Sequence, residues 1–262
     1  MILEVKNGYF GYSKDMILLR DISFLLGEQE IMTILGPNGS GKTTILKCMT
    51  GILKWTQGQT LVNGIPMGIS QEVQKHFPIG YVPQAHSLSF PYTVRELVTM
   101  GRARHIGVFS VPSRHDKRIV NEAIEQVGIG SIQDKLCTQL SGGQLQLVFI
   151  ARALAGEPKV LVLDEPESHL DFKNQFMMLH LIKMLVKERG ISCIMNTHYP
   201  EHALRLSDTT LLLSKNSYLF GKTQDVITEK RVKEYFDIEA KIVSVPYKKE
   251  EIKAFVIVEK LD

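Results

Sequence analysis

Gly36-Pro37-Asn38-Gly39-Ser40-Gly41-Lys42-Thr43 decides how this chain is read. It fits the pattern G-x-x-x-x-G-K-[ST], a loop whose backbone N–H groups wrap phosphate oxygens. Ahead of it lies Ile31-Met-Thr-Ile-Leu35, a short apolar run without alternation, as expected for a parallel strand buried on both faces. Behind it, residues 42–51 are patterned as a helix. Strand, glycine loop and helix in that order are the context the motif requires. Gly36, Gly39 and Gly41 permit backbone angles that side chains would block, so successive N–H groups can face one anion. Lys42 is expected to place its charge on the β and γ phosphates, and Thr43 its hydroxyl on Mg²⁺. Asn38, Ser40 and Thr44 complete the stretch expected to line the nucleotide, and the helix N-terminus adds its dipole.

On either side of the loop the chain reads as an α/β protein. Residues 2–10 and 17–26 read as strands, and Gly27-Glu28 turns the second into the loop-bearing strand. Asn63-Gly64 marks a hairpin turn, and residues 78–83 hold a short strand leading to Gln84. From Thr93 to about Leu154 the patterning is helical, with no strand. Thr93-Val-Arg-Glu96 is a capping box whose helix ends near Gly101, and Ser113 precedes an amphipathic helix over 116–127 closed by Gly128. Residues 159–163 and 191–196 are buried strands, separated by a helix that Asp171 caps and Gly190 stops after Arg189. The expected architecture is a P-loop NTPase, RecA-like core with a mixed sheet. It comprises residues 1–92, with N-terminal antiparallel strands, and 155–240. A helical subdomain, 93–154, is inserted, and 241–262 form a peripheral strand pair whose role the sequence leaves open.

Two further strings carry chemistry. Val160-Leu-Val-Leu-Asp164-Glu165 brings a strand to the phosphate side of the sheet, where Asp164 is expected to face Mg²⁺ and Glu165 to serve as general base for water. Leu140-Ser-Gly-Gly-Gln144 combines a hydroxyl at Ser141, exposed N–H groups at Gly142 and Gly143, and a helix whose positive end points outward behind Gln144. A serine cap accounts for a helix start but not for two adjacent glycines. With no glycine loop of its own, this phosphate-seeking helix start is expected to serve a nucleotide held by a partner.

Together these strings resemble the ATP-binding subunits of ABC transporters. The likeness reaches about residue 230 and rests on the phosphate loop, Gln84 in Val-Pro-Gln, Leu140-Ser-Gly-Gly-Gln144, Leu-Asp-Glu-Pro166, Ser168-His-Leu-Asp171 and Thr-His198. It implies an ABC-type ATPase binding ATP and Mg²⁺. Two subunits would sandwich two ATP molecules head to tail, each between one phosphate loop and the other chain's Leu-Ser-Gly-Gly-Gln. It further implies that Tyr12 stacks on adenine and that Gln84 touches Mg²⁺ or water and senses the membrane partner. His198 would contact the γ-phosphate, and Asp171 would link the two sites across the dimer.

A narrower likeness, carried by Ser168-His169-Leu-Asp-Phe172-Lys-Asn174-Gln175 and Val98-Thr-Met-Gly-Arg102, is to importers of iron–siderophore, haem and cobalamin. Molybdate and tungstate importers share the strings. This implies a homodimer on the cytoplasmic face of the cell membrane, a permease docked by its coupling helix in a groove of the helical insertion, and a substrate-binding protein reached through the permease. Three positions depart from the family's habit: Glu167 stands for threonine, Leu145 for a basic residue and Tyr199 for aspartate. An extra carboxylate beside Glu165 is expected to raise a neighbour's pKa or weaken ATP binding slightly.

The competing reading is a soluble ABC-type ATPase of DNA repair, chromosome structure or translation. Repair and chromosome members carry long heptad insertions, and none lies between Thr44 and Leu140; translation members carry two cassettes per chain. An unrelated P-loop kinase or GTPase leaves Leu140–Gln144 unexplained. Composition describes an ordinary soluble globular protein, not a disordered or fibrous one: 262 residues, 44% apolar, 23% charged. The net charge of +3 is spread out, so nucleic acid is not an expected partner. Cys48, Cys137 and Cys193 form no CxxC pair, which fits a reducing compartment. No signal peptide and no run of the roughly 18–20 apolar residues that span a bilayer are read. His198 and His202 have a metal-binding spacing, but Pro200 between them is expected to start a helix and leave His198 in the preceding loop.

Overall fold

The computed structural model describes residues 1–13, 16–67, 79–84, 90–107, 110–168, 170–215, 217–248 and 250–260; Pro78, His169 and the last two residues of the expected tail lie outside them. In chain order the first elements are β1 (Leu3–Ser13), β2 (Met16–Leu26), β3 (Ile31–Leu35), α1 (Lys42–Met49), β4 (Gln57–Val62), β5 (Ile65–Pro66) and β6 (Ile79–Val82). Three helices follow: α2 (Val94–Thr99), α3 (Arg114–Gln126) and α4 (Gly142–Ala155). Strands and helices then alternate as β7 (Val160–Asp164), α5 (Phe172–Arg189), β8 (Ser192–Thr197), α6 (Pro200–Leu206), β9 (Thr209–Leu213) and β10 (Tyr218–Lys222). Short helices α7 (Thr223–Val226) and α8 (Glu229–Phe236) lead to the hairpin β11 (Ile238–Tyr247) and β12 (Glu250–Lys260).

The central sheet has the order β10-β9-β3-β8-β7-β6. All neighbours pair in parallel except β10, which closes one edge antiparallel to β9. Every residue of β3, β7 and β8 is buried, which is why their sequences lack alternation. The period of two survives in the packing. Val160 and Val162 enter one core cluster with β1, β2 and α1, whereas Leu161 and Leu163 enter another with α2, α3, α4 and α5. The antiparallel sheet β2-β1-β4-β5 thus covers one face, and its Asn63-Gly64 turn has φ of 48° and 78°, as a two-residue hairpin turn demands.

Capping sets the helix starts. Thr93 with Glu96, Ser113 with Asp116 and Ser141 with Gln144 each form a reciprocal capping box, and Asp171 accepts from the Asn174 N–H to open α5. Behind α2 the buried Arg102 ties the helical segment together: Nε meets Asp116 Oδ1 at 3.0 Å, and Nη1 meets the Ala155 carbonyl at 2.8 Å and Glu157 Oε2 at 2.6 Å.

Some boundaries differ from the sequence expectation. Helix α1 stops two residues early because Thr50 turns its hydroxyl back on the Leu46 carbonyl and Gly51 takes φ 76°. Strands β7 and β8 run one residue further, since the ladder continues through Asp164–Asn196 and Leu35–Thr197. The expected C-terminal strand pair forms as β11 and β12, beginning three residues earlier than read.

Candidate functional site

Parallel strands place their carboxyl ends on one edge of a sheet, where open α/β folds bind ligands. Here β3 ends at the glycine loop, β7 at Asp164-Glu165, β8 at Thr197-His198 and β6 just before Gln84. The loop itself is shaped by close approach. A Cβ on Gly36 would lie 2.2 Å from the Leu213 carbonyl oxygen, and Gly41, at φ 100°, would press on Leu19. Ser40 is buried, and its hydroxyl has no hydrogen-bond partner among the described residues. A buried, unpartnered hydroxyl inside a loop of this pattern fits an incoming anion.

Lys42, 5% exposed, donates to the Gly36 carbonyl at 2.8 Å, the Pro37 carbonyl at 3.1 Å and His198 Nδ1 at 3.2 Å. Burial lowers its pKa, and the charges of Glu165 and Asp164 oppose that shift. An ammonium has no lone pair, so His198 accepts at Nδ1 and offers Nε2–H to Glu165 Oε1, 2.5 Å away. The expected general base, the γ-phosphate histidine and the phosphate-loop lysine are thereby joined in one line.

Thr43 donates to Asp164 Oδ1 at 2.9 Å. Two residues that sequence reasoning passed over hold the same carboxylate: Asn196 Nδ2 at 2.7 Å from Oδ1 and Tyr81 at 2.9 Å from Oδ2. Asn196 also accepts the Glu165 N–H at Oδ1, at 2.5 Å, and so fixes the backbone where Glu165 takes φ 48°. A glutamate in the left-handed region is a strained position, of the kind held only where surrounding bonds insist on it. Burial, then the Asp164 charge, push the Tyr81 phenol above its ordinary pKa. Position alone would have found both residues, since each sits at or next to the end of a strand beside a motif. Gln84 Nε2 reaches Ser168 Oγ at 3.0 Å and Glu165 Oε2 at 3.4 Å.

The remaining expected residues stand further out. Tyr12 lies on β1, 63% exposed, edge-on to Phe10 and with its hydroxyl 3.2 Å from Thr44 Oγ1. Ser141 and Gln144 bond to each other, Gln144 N–H to Ser141 Oγ and Gln144 Oε1 to the Ser141 N–H. Ser141, Gly143 and Gln144 line a hollow of about 530 Å³ together with Leu170 and Asn174, and Asp171 is occupied as the cap of α5. A Cβ on Gly143 would strike Leu170 at 2.8 Å, whereas one on Gly142 would meet nothing within 4 Å. Packing within the chain therefore accounts for one of the two glycines.

The Glu167 carboxylate turns into the protein, 1% exposed, where it accepts from the Thr197 hydroxyl and lies 3.6 Å from His202 Nδ1. The two histidines also part company: Pro200 is the first residue of α6, His202 sits in that helix against Glu167, and His198 precedes it against Lys42 and Glu165. Leu145, where a basic residue was the family habit, is buried in the core of the helical segment.

Fold and site define a P-loop nucleotide hydrolase. The family described as ABC transporter matches residues 19–168, and an AAA-domain family matches the shorter stretch 136–201. The chain is 34% identical over 236 residues to the molybdate import ATP-binding protein MolC of Haemophilus influenzae, covering 90% of this chain and 88% of that one. To the iron(3+)-hydroxamate import ATP-binding protein FhuC of Bacillus subtilis it is 36% identical over 239 residues, again 90% and 88%. Among solved structures, an inward-facing transporter described as a metal-chelate type ABC transporter superposes with a TM-score of 0.89 at 34% identity, covering 99% of this chain and 98% of that one. This chain belongs to the ABC transporter ATP-binding family, and it is an ATPase of that class.

Proposed function

We propose that this chain is the ATP-hydrolysing subunit of an ABC-type importer, working as a homodimer on the cytoplasmic face of a membrane and driving a separate permease fed by a substrate-binding protein. The cargo is a metal-containing substrate: iron–siderophore, haem or cobalamin in first place, molybdate or tungstate in second. The names of the molybdate and iron-hydroxamate relatives support that class. No helix among the described residues is long and apolar enough to cross a membrane.

The line from Lys42 through His198 to Glu165 carries the hydrolytic half of this reading. Glu165 holds the attacking water and takes its proton. The water oxygen then bonds to the γ-phosphorus as the bond to ADP breaks, and ADP and phosphate leave. Lys42 and the N–H groups of the loop hold the oxygens on which charge builds. Thr43 and Asp164 offer hard oxygen donors 2.9 Å apart, with Gln84 alongside Glu165, a donor set that suits Mg²⁺. When bound there, Mg²⁺ would neutralise negative charge on the phosphates. Tyr12 offers its exposed ring to adenine.

Partnership rests on Ser141 and Gly142, both exposed, with open space in front of Gly142 that its own chain does not use. A second copy's ATP fills that space, and Asp171 lies at the same junction. The test is solution mass with ATP and Mg²⁺. Glu165→Gln, which spares binding, should form a dimer with ATP but not with ADP, and adding Gly142→Arg should keep it monomeric. A mass indifferent to ATP and to Gly142→Arg would remove the sandwich, and undiminished ATP affinity in Lys42→Ala would remove the phosphate-loop assignment. Cargo is decided by ATP-driven uptake of ferric hydroxamate against molybdate in vesicles holding the co-purified permease.

A further inference from the structure

Glu165 and Glu167 leave the same turn, in which the Ser168 N–H meets the Glu165 carbonyl at 3.1 Å, yet they serve different sides of one loop. Glu165 meets the His198 ring. Glu167 is buried below it, and its Oε2 has no hydrogen-bond partner among the described residues. A buried carboxylate with an orphaned oxygen costs free energy that an apolar or neutral residue would not, so its place calls for a use.

That use is visible in the bonds of Thr197. Its hydroxyl has one hydrogen, and Glu167 Oε1 accepts it. The oxygen's lone pairs are thereby turned toward the Tyr199 N–H, which donates at 3.1 Å. Thr197 and Tyr199 are the two neighbours of His198 in the chain, so this pair of bonds grips the backbone on both sides of it. The far end is closed as well: the Tyr199 ring packs on His202 with centroids 4.7 Å apart, and His202 Nδ1 is 3.6 Å from the same Glu167 oxygen. With Thr197 wholly buried, no water competes for its hydrogen. Removing the Glu167 acceptor frees the hydroxyl to rotate and slackens the segment that aims His198.

We propose that Glu167 is a positioning residue for hydrolysis: acting through the Thr197 hydroxyl, it holds His198 in reach of Glu165 and the γ-phosphate. The inference rests on the proposed role of His198. It predicts a loss that His198 must mediate, which separates it from a general effect on the fold.

The test is steady-state hydrolysis and ADP affinity of the full chain. Glu167→Ala should lower kcat by about tenfold and leave ADP affinity within about twofold, because ADP lacks the phosphate that His198 addresses. Glu167→Gln keeps an oxygen acceptor for Thr197 and should restore most of the rate. In a His198→Ala background, Glu167→Ala should cost nothing further. Should Glu167→Ala fail to fold, Thr197→Val carries the same prediction and Thr197→Ser the same rescue. A further tenfold loss on top of His198→Ala, or wild-type kcat in folded Glu167→Ala and Thr197→Val, overturns the positioning role while leaving His198 in place. A wild-type rate in His198→Ala would remove the underlying role of His198 and this inference with it.

Discussion

The Nε2 of His198 lies 2.5 Å from Oε1 of Glu165, and that contact joins the ends of two neighbouring parallel strands, β8 and β7. It pairs the group expected to move a proton with the group expected to recognise the phosphate that receives the attack. Glu165→Gln keeps the shape and a hydrogen-bonding oxygen but loses the base. Phosphate release should fall by roughly 100-fold or more, while ATP affinity, measured by calorimetry, stays near wild type. Unchanged release would take Glu165 out of the reaction.

Asn196 has no exposed surface and spends its amide on two motif residues, donating to Asp164 and accepting from the Glu165 N–H. Asn196→Ala leaves that N–H without its acceptor at a cost of about 1–3 kcal/mol. The expected result is a lower melting temperature together with slower hydrolysis. A variant that melts and turns over like wild type would show that Thr43 and Tyr81 suffice to hold Asp164.

The Ser113 hydroxyl, first, and then Arg102 hold the Asp116 carboxyl down from the ordinary 3.8 to about 2. A folded-state pKa below the unfolded one adds stability above the unfolded value, and that share is lost as pH falls from near 4 toward about 2. Asp116→Asn should therefore melt below wild type at pH 6, with the gap narrowing as the pH approaches 2. Thermal melts of both proteins across that range check it; a gap that widens with acid would reverse the sign and exclude the mechanism.

Cys48, Cys137 and Cys193 are free thiols at 2%, 2% and 1% exposure. Burial pushes Cys48 up to about 12 and raises the other two as well. Thiolate, the reactive form, is scarce in all three. A thiol reagent at neutral pH should label none of them in the folded protein and all three in denaturant. Rapid labelling of the native chain would place one of these cysteines in a mobile or open segment.

What could be read from sequence was what local chemistry determines by itself. Glycine loop, capping boxes, the Asn63-Gly64 turn and the Gly190 stop each depend on a few adjacent residues, and each forms where its pattern lies. Strand ends were misjudged by one residue because pairing with a neighbour, not composition, carries β7 to Asp164 and β8 to Thr197. Asn196 and Tyr81 were missed for the same reason: each acts across strands, on residues 32 and 83 positions away. The partners of Glu167 were not legible for a related reason: neighbours in sequence share a turn without sharing a direction. Only the burial of its side chain against Thr197 tells it apart from Glu165.

The inward alternation along β7 has a mechanical consequence. Leu161 and Leu163 belong to one core cluster with side chains of α2, α3, α4 and α5, and the chain runs from Leu163 straight into Asp164 and Glu165. A close-packed interior transmits displacement instead of absorbing it. The two acids therefore stand at the end of a stiff rod seated in that core, not on a slack tether, so their position is set by how the helices pack.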